Sequence, residues 1–211
     1  MNFDRLKFEI DMDTYLTYTN SVFPISLLNV EEGWRVLDIG CGWGRDVRIL
    51  EGLYGANAVG VDIKKYNNEK MILADARFLC FKENSFDAII CILALPYVQE
   101  EDKALREIRR VLKRDGKLLL VLFNNSLSNI KNKISPKEYY EKIHDSEKTK
   151  SMLENFDFEV NEIHFANFGF PLLNRLPKFY KIVFKYENRL SKLRIAKWIA
   201  KRIVVIAKNL K

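Results

Sequence analysis

The feature that most constrains this chain is a run of three alternating glycines after a short apolar segment. The run reads Asp38-Ile39-Gly40-Cys41-Gly42-Trp43-Gly44. Glycine accepts positive φ angles and lets the backbone approach a ligand closely. A helix that begins just after the run offers unpaired N–H groups to the same place. Ligands of open parallel sheets bind outside the carboxyl ends of the strands, so the run predicts contact with a nucleotide-like molecule.

Strand-like and helix-like segments alternate along the first two thirds of the chain. Strands are predicted at residues 35–39, 58–62, 71–75, 86–92 and 117–123, and helices at 46–54 and 101–113. The fourth strand is apolar on both faces, which is typical of a central parallel strand. The alternation predicts crossover connections and a mainly parallel sheet. Residues 124–136 predict a loop, 146–155 a helix, and 160–166 and 202–207 two late strands.

The spacing of the glycines narrows the choice of ligand. A dinucleotide fingerprint needs G-x-G-x-x-G, whereas the third glycine here comes one residue early and Arg45 stands where the fingerprint has glycine. A Walker-type phosphate loop would need Gly-Lys-Ser or Gly-Lys-Thr, which this turn lacks. Alternating glycines with Asp38 two residues upstream resemble motif I of the class I S-adenosylmethionine-dependent methyltransferases.

Four further motifs resemble the same family. Asp62 closes the second predicted strand, where the family places an acid on the ribose hydroxyls, and a carboxylate suits that role. Asp75 and Ala76 resemble the pair that reads adenine. Residues 86–98 and 104–122 resemble the fourth-strand motif and the helix, turn and fifth strand that follow it. The resemblance is good over residues 33–123 and weak over 150–166, where Asp157 stands in place of the family's glycine.

The resemblance implies one α/β domain over residues 1–211 with the Rossmann-like class I methyltransferase sandwich. Its mostly parallel seven-stranded sheet would have an antiparallel last strand. Residues 1–32 would form a cap region, and residues 168–201 a basic amphipathic helical insertion over the substrate end. The implied cofactor is S-adenosylmethionine (SAM). The implied cofactor-binding residues are Tyr18, Asp38, Gly40, Cys41, Gly42, Gly44, Asp62, Ile63, Asp75, Ala76 and Ile92.

The methyl acceptor and the catalytic residue stay open at this stage. Transfer would be a displacement at the methyl carbon, which needs alignment and, for a protic acceptor, a base. His144 and His164 are the two histidines, and each is either a base or an ordinary packing residue. Tyr97, Tyr139 and Tyr140 are equally open, and no cluster suggests a metal site. The leading function is methylation of a small, apolar or lipid-like molecule; the alternatives are an RNA methyltransferase and a non-catalytic SAM-binding protein.

The positive charge of the chain is concentrated near its C-terminus. The net charge is +7, but residues 170–211 carry 12 basic residues and one acid, Glu187, whereas residues 1–169 carry 23 basic and 27 acidic residues. Basic and apolar residues recur at helical spacing over residues 178–202. This segment is interpreted as a lid, as a helix on a membrane surface, or, less favoured because no RNA-binding module is recognised, as an RNA-facing patch.

The cysteine count and the hydropathy bear on location. Three cysteines in apolar surroundings argue against a disulfide framework and for a reducing compartment. The longest apolar runs are far shorter than the roughly 18 residues of a spanning helix, and the first residues lack the apolar stretch of a secretion signal. We therefore expect a cytoplasmic protein, with peripheral contact at a membrane surface as the open addition.

Overall fold

The structure is a computed structural model, which describes residues 17–66, 69–126, 144–168, 185–186, 188–193 and 195–211. One seven-stranded sheet runs in the order β3-β2-β1-β4-β5-β7-β6. Its strands are β1 (Arg35–Ile39), β2 (Asn57–Asp62), β3 (Met71–Leu73), β4 (Phe86–Ile92), β5 (Leu112–Phe123), β6 (Phe158–Phe168) and β7 (Ala200–Asn209). Pairing is parallel from β3 to β5, and β7 is antiparallel to both of its neighbours. The predicted sheet, with its antiparallel last strand, is confirmed.

Five α-helices lie among the described residues. They are α1 (Phe23–Leu27), α2 (Arg45–Tyr54), α3 (Glu101–Val111), α4 (Ser146–Glu154) and α5 (Ala196–Ile199). A π-helical turn, Tyr18–Val22, precedes α1, and a 3-10 turn, Leu95–Tyr97, follows β4. None of the helices in the described ranges is long and apolar enough to cross a bilayer.

Apolar layers cover both faces of the sheet because alternate residues of each central strand point to opposite sides. On one side Leu37, Ile89 and Leu120 pack in a cluster with Leu105 and Ile108 of α3. On the other side the partners come from α1 and α2, with Ile25 and Leu50 packed among Val36, Ile90 and Val121. Both faces of β4 are therefore buried, as its sequence predicts.

The sheet brings the glycine turn to a reversal of strand order. β1 pairs with β2 on one side and with β4 on the other. The strands that follow β1 in the sequence are therefore added first to one side of it and then to the other. A crevice opens at the carboxyl ends of the strands in such a place, and the turn at residues 40–44 lies at the carboxyl end of β1.

Several predicted boundaries shift in the structure. β3 ends at Leu73, two residues before Asp75, and β6 and β7 are longer than their apolar patterns. β5 begins at Leu112, where the sequence predicts helix; its pairing with β4 is interrupted by a bulge, with Asp115 at φ +62°. Asp157, the residue in place of the family's glycine, has φ +56°, which is the left-handed conformation that favours glycine.

The predicted insertion is described only in part. Leu190, Ala196 and Ile199 pack on Phe165 and Phe168 at the end of β6, so one side of the segment is attached to the sheet. Residues 1–16, which are half of the predicted cap, lie outside the described residues. So do residues 127–143, with most of the predicted loop, and residues 169–184.

Candidate functional site

The glycine turn is bound to the carboxyl end of β2 by its own backbone. The N–H groups of Gly40 and Cys41 donate to the carbonyl oxygen of Val61 at 2.8 and 3.1 Å. The N–H of Gly42 donates to Oδ2 of Asp62 at 3.0 Å. The turn and the acid at the end of β2 therefore form one hydrogen-bonded unit.

Gly40 is the glycine whose small size the structure requires most clearly. Its φ is +77°, and a Cβ at this position would lie 2.2 Å from Cβ of Ala94. The turn consequently approaches the segment after β4 more closely than any side chain would permit. Gly44, at φ +75°, is the capping residue just before α2.

Asp38 is a buried carboxylate beneath the turn. Its Oδ2 has no hydrogen-bond partner among the described residues, and its side chain is almost fully buried. Burial raises the pKa of Asp38 well above its ordinary value, and the negative charge of Asp46 adds to the rise. Arg45 contacts both oxygens of Asp46, at 2.9 and 3.1 Å, and the positive charge of Arg45 partly opposes the rise in the pKa of Asp38. A buried carboxylate oxygen without a partner suits a cationic ligand group such as an ammonium.

Asp62 stands at the wall of a cavity. Its Oδ1 accepts a hydrogen bond from the N–H of Lys64 at 2.9 Å, while Oδ2 accepts from Gly42. Each carboxylate oxygen has a second lone pair, so both retain capacity for ligand hydroxyls. The two backbone hydrogen bonds thus fix the orientation of the Asp62 carboxylate and leave each of its oxygens able to accept another hydrogen bond.

The cavity has a volume of about 370 Å³ and lies at the carboxyl ends of β1, β2 and β4. Leu93 lines it with φ +58°, an uncommon conformation for a bulky side chain that is found where structure around a site enforces it. The lining residues are Ile39, Gly40, Val61, Asp62, Ile63, Lys64, Tyr66, Ala74, Asp75, Ala76, Leu93, Ala94, Tyr97 and Val98.

Asp75 lines the cavity but is also engaged by a neighbouring arginine. Arg77 donates to both oxygens of Asp75, with the shortest contact 2.7 Å from Nη2 to Oδ2, and its Nη1 donates to Glu100 at 3.0 Å. This contact lowers the pKa of Asp75. The carboxylate is therefore ionised and held in place, and any adenine contact would share it with Arg77.

The predicted site residues divide into those at the cavity and those around it. Gly40, Asp62, Ile63, Asp75 and Ala76 line the cavity. Asp38, Gly42, Gly44 and Ile92 are not among its lining residues, and neither is Cys41. Cys41 packs under the turn, where burial raises the pKa of its thiol to about 12. The side chain of Tyr18 lies outside the described residues.

Several lining residues were not predicted to bind the cofactor. They are Ile39, Val61, Lys64, Tyr66, Ala74, Leu93, Ala94, Tyr97 and Val98. Most of them end a strand or follow one closely, so proximity to strand ends was the sequence signal that could have found them. Arg77 lies two residues after Asp75, but its contact with Glu100 joins positions that are 23 residues apart, and no local pattern signals it.

Known proteins resemble this chain over the same region. Residues 37–120 match a family model described as a methyltransferase domain. The chain is 31% identical over 166 residues to an uncharacterised protein of Methanocaldococcus jannaschii, which covers 68% of this chain and 64% of that protein. It is 32% identical over 128 residues to the ubiquinone/menaquinone biosynthesis C-methyltransferase UbiE of Pseudomonas aeruginosa, covering 53% of this chain and 50% of the enzyme. The chain thus spans less than two thirds of either relative.

A solved structure shares the fold over nearly the whole chain. It is a chain of the complex between the Haloferax volcanii Trm112 methyltransferase activator and the putative methyltransferase, with a TM-score of 0.70, 16% identity and coverage of 94% of both chains. At this identity the likeness concerns the fold alone.

The residues present fit S-adenosylmethionine. An unpartnered buried carboxylate suits its ammonium group, the wall carboxylate suits its ribose, and the glycine turn admits a ligand close to the backbone. Together with the strand order and the match over residues 37–120, this makes the chain similar to the class I S-adenosylmethionine-dependent methyltransferases, whose methyl donor is SAM.

Proposed function

We propose that this chain transfers the methyl group of SAM to a small-molecule acceptor. The observation that carries the proposal is the hydrogen-bonded unit of the glycine turn and Asp62, of which Gly40 and Asp62 line the cavity. Bound SAM would supply a methyl carbon already activated by the sulfonium charge. The protein then has to hold the donor, exclude water and align an acceptor in line with the carbon–sulfur bond.

The roles of the three strand-end acids follow from their surroundings. Asp38 would accept a hydrogen bond from the ammonium group of SAM, because no described residue donates to its buried Oδ2. Asp62 would accept from the ribose hydroxyls. Asp75 and Ala76 would lie against the adenine, with Arg77 holding Asp75 in place. These assignments extend the family resemblance residue by residue.

The proposed acceptor is apolar and aromatic. The Tyr97 and Phe123 rings meet edge to face at 6.1 Å, and the guanidinium of Arg202 lies 4.5 Å above Phe123. Both rings belong to the ends of strands or to the turn after them, where acceptors of this fold class would enter. A flat hydroxylated ring would pack against such a wall, and the similarity to an enzyme named as a quinone C-methyltransferase supports the same class.

We also propose that the basic segment touches an anionic membrane surface. Its inner side packs on β6, but Ile195 and Trp198 are 59% and 54% exposed, and Leu193 is exposed as well. Lys197 lies 5.2 Å from the Trp198 ring, so cationic and apolar groups share the outer side. Exposed aromatic and aliphatic groups among lysines match an interfacial helix, and such a position would suit an apolar acceptor dissolved in lipid.

Thermal shift with four ligands tests the cofactor. A ligand that binds only the folded state raises the melting temperature, so SAM and its demethylated product should raise it whereas NAD and ATP should not. Asp62→Ala should weaken SAM binding by about 1.5–3 kcal/mol in calorimetry, the range for hydrogen bonds to a charged group. Asp102→Ala, an exposed acid on α3, is the control and should bind normally. Equal affinities for both variants would contradict the Asp62 assignment.

Labelled SAM separates the candidate functions. Incubation with a cell extract should move the label into the fraction that apolar solvents extract. Label in RNA would favour the RNA methyltransferase alternative, and SAM binding without any transfer would favour a non-catalytic binder.

A further inference from the structure

Large exposed apolar side chains collect at the carboxyl end of the sheet, which is the end at which β1 to β5 finish and β7 begins. Trp43, in the glycine turn after β1, is 72% exposed, and Leu73, the last residue of β3, is 61% exposed. Phe78, in the turn after β3, is 66% exposed. Ile195 and Trp198, just before β7, are exposed at the same end. We call these five side chains the end surface.

The opposite end of the sheet has a different character. Lys208 pairs there with Asp115 at 2.8 Å. In the described ranges, the exposed large apolar side chains on that side are Leu53, near the end of α2, and Leu210, after β7. Grouped apolar exposure of this kind marks a site of contact with a partner or a membrane, and it is concentrated where the cavity opens.

Ring contacts connect the end surface across the mouth of the cavity. The rings of Trp43 and Tyr66 meet edge to face with their centroids 4.8 Å apart, and Tyr66 lines the cavity. On the other side Tyr97, also a lining residue, meets Phe123, which ends β5 beside the start of β7. Ile63 is exposed as well, but it lines the cavity and a bound ligand would cover it, so the end surface is defined without it.

Exposed lysines lie among these apolar groups. Lys64 and Lys65 follow β2, and Lys197 lies on α5. Glu100, an acid at the same end, is paired with two basic side chains at 3.0 and 2.6 Å. Lysine is depleted in interfaces between proteins, whereas lysine beside tryptophan is typical of the boundary between membrane and water. The composition therefore favours an anionic lipid surface over a protein partner.

We propose that the end surface docks on an anionic lipid bilayer with the mouth of the cavity facing the lipid. This inference rests on the proposed function and extends the membrane contact of the basic segment to Trp43, Leu73 and Phe78. The apolar side chains enter the interfacial layer, and the lysine ammonium groups stay among the lipid phosphates. An apolar acceptor then passes from the bilayer into the cavity without crossing water.

Tryptophan fluorescence tests this orientation, because the three tryptophans of the chain lie at different places. Trp34 precedes β1 at the opposite end of the sheet, whereas Trp43 and Trp198 belong to the end surface. Three variants each keep one tryptophan and carry phenylalanine at the other two positions. With phosphatidylglycerol vesicles whose acyl chains carry bromine, Trp43 and Trp198 should be quenched, and Trp34 should keep its emission.

Vesicle affinity tests the surface with a side chain outside the basic segment. Phe78→Ser should weaken binding to phosphatidylglycerol vesicles by about tenfold, the lower end of the effect of transferring a large apolar side chain. Leu210→Ser removes an exposed apolar side chain from the opposite end and is the matched control, which should bind like the wild type. Circular dichroism of both variants checks that they are folded. Equal binding by the two variants would contradict the proposal.

The outcomes separate this orientation from the proposals on which it rests. Quenching of Trp198 without Trp43 would overturn the orientation and leave the basic segment as the membrane contact. Quenching of Trp34 as strong as that of Trp43 would also overturn it, because no end of the sheet would then be selected. If none is quenched, membrane contact is removed, and thermal shift with SAM still decides the cofactor. A wild-type dimer that Phe78→Ser dissociates would assign the surface to a second copy of the chain.

Discussion

At the scale of single residues, the buried carboxylate of Asp38 is expected to lower the stability of the ligand-free protein and to favour binding of SAM. Its folded-state pKa is raised by burial and by Asp46, so its contribution to stability is present below the unfolded pKa and is lost as the pH rises through the folded pKa. Near neutral pH the charged form is therefore a destabilising feature of the ligand-free protein. A ligand ammonium would compensate for it.

Asp38→Asn should separate these two effects. We expect the variant to be more stable than the wild type at neutral pH by about 0.5–2 kcal/mol, the usual size of a single stabilising substitution, and to bind SAM more weakly. Its advantage should shrink as the pH is lowered through the raised pKa. Thermal melts of both proteins across pH, with and without SAM, measure this. A stability difference that does not change with pH would contradict the assignment.

Gly40 allows a sharper test because Gly33 offers a matched control. Both have similar φ, +77° and +80°, but a Cβ on Gly33 would have no atom within 4 Å whereas one on Gly40 would overlap Ala94. Left-handed strain is common to both alanine variants, so their difference isolates the overlap. Gly40→Ala should lose about 1–3 kcal/mol more in denaturant unfolding, the range for overpacking. Equal losses would mean that the turn moves freely away from Ala94.

At the scale of elements, the turn between α4 and β6 holds a non-glycine residue, Asp157, in the left-handed conformation. Asp157 has φ +56°, and its carbonyl oxygen accepts from the N–H of Leu210 at 3.0 Å. Its carboxylate pairs with Arg109 at 2.9 Å on an exposed surface. The backbone conformation favours glycine, and the surface pair contributes at most about 1 kcal/mol.

Replacement of Asp157 should reveal the balance of these effects. Asp157→Gly should be nearly neutral, because relief of strain offsets the lost ion pair. Asp157→Ala loses the pair and keeps the strain, so it should be less stable than the glycine variant by about 1 kcal/mol. Urea unfolding of the two variants measures the difference. A more stable alanine variant would show that strain at this turn is negligible.

Strands that are buried on both faces were the most predictable elements. β1 and β4 were predicted at their observed bounds, because continuous apolar residues leave little choice of boundary. β6 and β7 extend beyond their apolar patterns, because each is lengthened by pairing with the other. The early start of β5 depends on a bulge against Phe86, which local pattern does not contain.

The site was predictable where one segment supplies both the geometry and the chemistry. The turn at residues 40–44 and the acid Asp62 were found in this way. The contact of Arg77 with Glu100 was not, because it joins residues that are 23 positions apart and that only the folded chain brings together.

At the scale of the whole molecule, charge and exposed apolar groups meet in the C-terminal part. Vesicles of anionic phosphatidylglycerol should bind the protein, neutral phosphatidylcholine vesicles should bind it weakly, and added salt should reduce binding. The double variant Ile195→Ser with Trp198→Ala should lose most of the affinity. Leu53→Ser, an exposed apolar residue of α2, is the control and should bind normally. Equal binding to both lipids would contradict the surface proposal.

The pairing at the start of β7 makes the connection between β6 and β7 a segment whose length can change. Phe168 and Ala200 are register partners, so the long connection between them leaves the sheet and re-enters it at one point. The closure entropy of a loop grows slowly with its length, by about 0.6 kcal/mol for each doubling. A change in the length of this connection should therefore alter the free energy of unfolding only slightly, and chimeras that exchange it at Phe168 and Ala200 should still fold.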